Sequence, residues 1–270
     1  YNNIALAYKN LKMFEKAVEA INNSLRQNPQ TCEPYQNAAF IATMLHNRQA
    51  AFKYYQIAYD FAPNDTKTIS QYRDLCVNVC DWDKYDELQA RMVELTGESG
   101  EPLAVWPMGD ISRYIDPEHN LECAISFTKE QTENILQNYK PFTHANRKSG
   151  NKRLRIGYVS SDLRDHPVGH LMRGVFRNHN KEKFEIFVYS STVKDNSDCQ
   201  NAIKSYSDHY INVMNWSDID VATRIYNDQI DVLIDLNGHT EGQQLKALAL
   251  KPAPVQISYI GFIGSMGADF

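Results

Sequence analysis

The sequence predicts an α + α/β chain, with helical repeats first and then a Rossmann-like domain built on a parallel sheet. Three observations predict it. A 34-residue self-similarity runs through the first hundred residues, strand and helix periods alternate after residue 153, and a Gly/Pro-dense stretch lies between them. The 270 residues and 43% hydrophobic content are enough for two cores, which excludes wholesale disorder.

The repeat emerges when residue 1 is laid on residue 35. Tyr1 then meets Tyr35, Ala5 meets Ala39, Ala17 meets Ala51, Ile21 meets Tyr55, Ser24 meets Ala58, and Pro29 meets Pro63. An aromatic, paired small residues and a closing proline at this period make the tetratricopeptide pattern. Small residues let paired helices approach closely, larger apolar residues fill the groove, and the proline stops the second helix. A third unit, Thr66 to Gly97, keeps apolar spacing at Ile69, Tyr72, Leu75 and Val79, then at Tyr85, Leu88, Met92 and Leu95. It has lost the small residues, as a terminal repeat that caps or docks does. Cys76 and Cys80 on its first helix read as free thiols rather than a metal pair, because no further ligands sit nearby. The repeats are therefore placed at 1–95.

Residues 96–152 read as a linker with a helix. Gly97, Gly100, Pro102, Pro107, Gly109 and Pro117 mark the connection, one helix is predicted from Leu121 to Asn138, and 144–152 is small and polar. Residues 153–270 form the sheet domain. Strands are predicted over Leu154–Ser160, Phe184–Tyr189, Tyr210–Val213, Asp231–Leu236 and Val255–Ile260. Helices fall around Leu171–Phe176, Ser197–Tyr206 and Asp218–Asp228. Alternation at this spacing implies a parallel sheet covered on both faces. No G-x-G-x-x-G follows the first strand, so a nicotinamide-binding reading lacks its main support.

Charge and cysteine usage narrow the partners. The 28 basic and 33 acidic residues give a net charge of -5, and neither half of the chain is basic, so no electrostatic grip on nucleic acid is expected. No apolar run approaches the roughly 20 residues a membrane helix needs, so no membrane partner is expected. Five cysteines form neither a CxxC pair nor a dense framework, which predicts reduced thiols and a cytoplasmic protein.

In a parallel sheet, ligands bind outside the carboxyl ends of the strands. Those ends carry Ser160, Ser161, Asp162, Asp165 and His166 after the first strand. Asn237, Gly238, His239 and Thr240 follow a later one, and Gly261, Phe262, Gly264, Ser265 and Gly267 follow the last. Pro167 fits the first position of a helix, which makes His166 its cap, able to face a phosphate or a sugar hydroxyl. Asp162, four residues earlier, can accept a proton or hold the imidazole's tautomer. The alternative is a loop cap with solvated charges. For His209 and His239 the default is a partly buried, satisfied histidine, with His239 the stronger site candidate. Gly261, Gly264 and Gly267 leave backbone amides open to a ligand or simply make tight turns. A zinc site from His166 and His170 lacks the glutamate of H-E-x-x-H, where proline stands instead, and no metal is expected.

These blocks carry a resemblance. Leu154-Arg-Ile-Gly-Tyr-Val-Ser-Ser-Asp162, then His166-Pro167 and His170-Leu-Met172, resembles the opening of the catalytic region of protein O-GlcNAc transferases. Asn237-Gly-His-Thr240, Lys251-Pro-Ala-Pro-Val-Gln256 and Gly261-Phe-Ile-Gly-Ser-Met-Gly-Ala268 resemble later blocks of that region, in the same order. Tetratricopeptide repeats directly upstream are that family's layout, shared by the plant SPINDLY-type O-fucosyltransferases. The resemblance implies two Rossmann-like domains with a nucleotide-sugar between them. It implies that this chain is a fragment carrying the first of them, the C-terminal half with its pyrophosphate partners being missing, and that alone it is inactive and binds UDP-GlcNAc feebly.

The implied function is transfer of N-acetylglucosamine from UDP-GlcNAc to serine or threonine hydroxyls of proteins bound along the repeats, without cofactor or metal. The alternatives are O-fucosyl transfer and a non-catalytic scaffold. By the resemblance, His166 stands beside the donor sugar and phosphate, with Pro167 and Val168 its neighbours there. Asp162 matches an aspartate proposed as base, a role the family leaves open. Gly261 matches a glycine facing the sugar; Asn237, His239 and Gly264, chosen for their place at the strand ends, complete the donor-site set. Three positions depart from the family pattern. Leu103 lies near where animal members carry a histidine, Val168 replaces a threonine, and Ile263 replaces a proline.

Overall fold

The computed structural model describes residues 1–11, 13–99, 106–111, 116–145 and 152–270. Two units separate, Tyr1–Leu103 and Ala104–Phe270. The first is all helical: α1 (Asn2–Asn10), α2 (Phe14–Gln27), α3 (Cys32–Met44), α4 (Arg48–Phe61), α5 (Thr66–Val79) and α6 (Trp82–Ser99), paired in order as α1/α2, α3/α4 and α5/α6. The 34-residue period is visible in the helix starts. The second helices begin at residues 14, 48 and 82, and α5 begins 34 residues after α3.

Small residues make this pairing close. Ala5, Ala17, Ala39 and Ala51 are fully buried. Pro29 and Pro63 end α2 and α4 by forcing the residues before them out of the helical region. Asn28 (φ -131°, ψ 71°) and Ala62 (φ -141°, ψ 72°) adopt nearly the same conformation, one period apart. The third unit keeps the path of the chain with other packing. Tyr72 is buried where the preceding repeat has Ala38, and its ring meets Phe52 edge-on at 5.1 Å and Tyr55 stacked at 6.3 Å. Cys76 is buried while Cys80 is exposed in a left-handed cap at the end of α5.

The second unit holds α7 (Pro107–Asp110), α8 (Pro117–Asn138), β1 (Leu154–Ser160), α9 (Pro167–Asn178), β2 (Phe184–Ser190), α10 (Asp198–Tyr206), β3 (His209–Asn212), α11 (Asp218–Asn227), β4 (Val232–Asp235), α12 (Leu245–Ala249) and β5 (Val255–Ser258). All strand pairs are parallel, in the order β3-β2-β1-β4-β5. Period-2 alternation sorts the strand side chains into two cores. Ile156, Tyr158, Ile186 and Val188 pack with Met172, Phe176 and Ile203 of α9 and α10 on one face. Val159, Phe187, Tyr189 and Leu233 pack with Ile135, Val221, Ile225 and Leu248 of α8, α11 and α12 on the other.

Helix α8 therefore belongs to the sheet unit. It starts four residues before the sequence reading, capped by the Asp116 side chain with Pro117 at its first position. Ile135 lies in the core, Thr128 Oγ1 donates to the Met266 carbonyl (2.7 Å), and just beyond the helix the Phe142 N–H donates to Leu250 (2.7 Å). Two short helices, α7 and α12, were not legible in the sequence because four or five residues carry no helical period.

At the amino ends of the strands lies a belt of ion pairs. Arg155 meets Glu185 (3.1 Å), His209 meets Glu185 (2.9 Å), and Arg153 and Lys181 both meet Asp208 (3.2 and 3.1 Å). Burial works to raise the Glu185 carboxyl, but the bonds from His209 and Arg155 prevail and hold it below the usual carboxylate range. The carboxyl ends are chemically different, and the candidate site is there.

Candidate active site

The strand order reverses direction between β1 and β4, which makes the carboxyl ends of these two neighbours the switch point at which sheets of this kind bind their ligands, here called the β1–β4 crevice. Both loops carry the polar residues singled out in the sequence. The β1 loop is a tight one. The Arg164 N–H donates to the Asp162 carbonyl (2.9 Å), and the His166 N–H donates to the Arg164 carbonyl (2.7 Å). Gly169 is required beneath it, since a Cβ there would come within 2.2 Å of the Arg164 carbonyl oxygen. Ser160 Oγ accepts the Asp162 N–H (3.0 Å), and Thr192 Oγ1, from the end of β2, accepts the Leu163 N–H (3.2 Å).

The β4 loop is shaped by Asp235. Its carboxylate accepts the N–H groups of Asn237 (3.0 Å) and Gly238 (2.9 Å), and Gly238 takes a left-handed φ of 60°. Burial raises the Asp235 pKa, opposed by those two amide bonds. The turn directs the wholly buried Asn237 side chain at the β1 loop. Asn237 Nδ2 donates to Ser161 Oγ (2.8 Å) and Asp162 Oδ2 (2.9 Å), while its Oδ1 accepts the Ser161 N–H (2.9 Å). Asp162 and Asn237, predicted on separate loops, are thus in direct contact. Asp162 is only 9% exposed.

His166 caps α9 with its ring. Nδ1 accepts the Val168 N–H (3.3 Å), which puts the proton of the neutral imidazole on Nε2. His166 therefore presents a donor, suited to an oxyanion or a sugar oxygen, at a helix N-terminus that favours negative charge. Pro167 is exposed at the first helical position. The Val168 side chain lies in the hydrophobic core beside Leu163 and Met172, so this residue offers its backbone to the cap and no pocket-lining group. His170 is bound to Asp165 (2.7 Å) on the surface.

The structure separates His239 from this group. It is fully buried between Phe127 (5.4 Å) and Phe262 (5.1 Å), both edge-on. Its Nε2–H donates to the Met266 carbonyl (3.0 Å), and its own carbonyl accepts the Trp106 indole N–H (3.0 Å). Burial lowers its pKa and keeps it neutral. Its role is to tie the 237–240 loop to the segments around it.

The glycines after β5 are likewise explained by close approach. A Cβ on Gly261 would lie 2.0 Å from the Leu236 carbonyl oxygen, one on Gly264 would meet Ile111 at 2.6 Å, and one on Gly267 would meet the Ala124 backbone at 2.3 Å. Ile260, just before Gly261, sits at φ 67°, a conformation that strains a β-branched residue. Of the three departures, Ile263 is 83% exposed and Leu103 lies outside the described residues. Asp235 and Trp106 were not legible as site residues, because their contributions come from backbone bonds and a contact across 133 positions.

A Caenorhabditis elegans UDP-N-acetylglucosamine--peptide N-acetylglucosaminyltransferase is 31% identical over 209 residues, 71% of this chain and 18% of that protein. The Arabidopsis thaliana protein SEC, named a probable transferase of the same kind, is 44% identical over 135 residues, 48% of this chain and 14% of that protein. The chain thus spans less than a fifth of the length of these relatives. A solved Thermobaculum terrenum O-GlcNAc transferase variant shares the fold, with a TM-score of 0.67 at 20% identity over 98% of this chain and 51% of that one. The pattern of Glycosyl transferase family 41 matches residues 79–270, from the last repeat through both loops of the crevice, and the chain belongs to that family.

Proposed function

We propose that the protein transfers N-acetylglucosamine from UDP-GlcNAc to serine or threonine hydroxyls of other proteins, with inversion at the anomeric carbon. The observation that carries this reading is the Asp162 carboxylate, almost buried at the β1–β4 crevice and tethered by Asn237, in a chain of this glycosyltransferase family. The acceptor oxygen forms its bond to the anomeric carbon as the bond from that carbon to the β-phosphate oxygen breaks. The electron pair leaves with UDP, and the hydroxyl proton passes to Asp162. His166 Nε2–H and the start of α9 stabilise the departing diphosphate or the sugar. The tetratricopeptide repeats hold the protein acceptor. UDP-GlcNAc is a substrate, and no resident cofactor or metal is assigned. No described helix is long and apolar enough to cross a membrane, and the five free thiols fit work in the cytoplasm.

The test is sugar transfer by the intact protein from labelled UDP-GlcNAc to a Ser/Thr-rich acceptor. Asp162→Asn lowers transfer by about 100-fold or more, the range for losing a general base, and His166→Ala lowers it as well. Transfer unchanged in Asp162→Asn removes that residue from the mechanism. Incorporation from labelled GDP-fucose instead makes the protein an O-fucosyltransferase, and absence of any nucleotide-sugar binding makes it a scaffold.

A further inference from the structure

We propose that Asn237 is a positioning residue, which fixes the Asp162 carboxylate in the crevice and does not itself bind the sugar donor. The inference rests on the transferase reading for what Asp162 does, and on geometry alone for what Asn237 does. Asn237 is fully buried, and both ends of its amide are engaged. Oδ1 accepts the Ser161 N–H at 2.9 Å. Nδ2 has two hydrogens and four acceptors within reach: Ser161 Oγ (2.8 Å), Asp162 Oδ2 (2.9 Å), Thr240 Oγ1 (3.1 Å) and the Glu241 carbonyl (3.3 Å). Both Nδ2 hydrogens are spent inside the loop, and the lone pair that Oδ1 has left is on a residue with no exposed surface, so the side chain offers a ligand no donor and no reachable acceptor.

The surrounding bonds hold that amide in one orientation. Asp235 fixes the backbone of Asn237 and Gly238. Thr240 Oγ1 donates to the Asn237 carbonyl (3.0 Å), and Ser161 Oγ donates to the Glu241 carbonyl (3.1 Å). Ser161 Oγ, having given its hydrogen to Glu241, must accept from Asn237. Of the three acceptors that remain for the second Nδ2 hydrogen, Asp162 Oδ2 is the nearest, at 2.9 Å against 3.1 Å for Thr240 Oγ1 and 3.3 Å for the Glu241 carbonyl. The result is a clip across the β1–β4 junction that takes one carboxylate oxygen of Asp162 and leaves Oδ1 without a bond to any described residue. A base tied at one oxygen has one direction left in which to receive a proton, which is how second residues position a reacting group.

Two substitutions separate the two ends of the amide. Asn237→Asp keeps the acceptor for Ser161 but replaces the donor with a second carboxylate beside Asp162, and two such groups resist ionising together. Asn237→Ala removes both. In Asn237→Asp, kcat for transfer falls about 10- to 100-fold, the acidic limb of its pH profile moves to higher pH, and donor KM stays within about twofold. Amide exchange at Ser161 stays as in the parent. In Asn237→Ala, kcat falls similarly, and Ser161 exchanges at least about tenfold faster while Leu233 within β4 is unchanged. A raised donor KM with kcat intact would show that Asn237 binds the sugar directly, and an unaltered Ser161 exchange in Asn237→Ala would show that no clip exists. A parent protein with no transfer defeats the transferase reading alone, since the exchange experiment still decides the clip.

Discussion

At the scale of single residues, the strand-end loops could be read from the sequence but the direction of each side chain could not. Asp162, His166 and Asn237 do lie at one end of the sheet. Asn237 and His239, two positions apart in one turn, behave oppositely: the first faces the β1 loop and the second turns into packing made by Phe127, Phe262 and Met266. Those partners are distant in sequence, so local pattern carried no sign of them. The burial of His239 has a consequence with pH. Its folded pKa lies below the ordinary 6.5, so as pH falls from 6.5 the unfolded chain takes up a proton that the folded one refuses, and stability is lost. Urea midpoints should drop between pH 7 and pH 5, with a contribution of at most about 1.4 kcal/mol per pH unit from this group. His239→Gln should show a shallower drop than the parent; an unchanged slope would mean another group is responsible. Gly261→Ala is expected to cost at least about 1–3 kcal/mol, because its methyl would meet the Leu236 carbonyl at 2.0 Å. Chemical denaturation measures that directly.

At the scale of elements, periodicity was informative in proportion to length. The repeat helices and α9, α10 and α11 lie where the spacing put them, since several turns of apolar residues must face one core. Ends shifted where caps decide, as with Asp116 and Pro117 ahead of α8. The repeats are also joined by a polar contact that no periodicity announces. Asp65, the cap of α5, accepts the Thr68 N–H (2.9 Å) and also the Gln36 Nε2–H from α3 (2.8 Å). Asp65→Ala should therefore cost about 0.5–2 kcal/mol for the cap, while Gln36→Ala alone should cost less. Equal stability of Asp65→Ala and the parent in thermal melts would show the cap idle. Replacing the fully buried Ala39 by Leu overpacks its helix pair and should cost about 1–3 kcal/mol.

At the scale of the whole molecule, the parallel sheet has two chemically distinct ends, and the proposed transfer uses one of them. Its amino end presents Lys152, Arg153, Lys181 and Lys183 around the carboxylates of Glu185 and Asp208, an arrangement that attracts anions by charge. Its carboxyl end presents Asp162 held by Asn237, with His166 at a helix N-terminus. Overall composition could not distinguish these ends, because the net charge of -5 says nothing about placement. Topology does, because the strand order reverses between β1 and β4 and puts the switch point at the carboxyl end. The measurement that tests this most directly is a titration of the isotopically labelled chain with UDP-GlcNAc, followed by backbone amide NMR, which registers even weak binding. Shifts should concentrate in residues 161–169 and 237–240. Shifts confined to 152–155 and 181–185, with the crevice silent, would place the nucleotide-sugar at the opposite end of the sheet and contradict it.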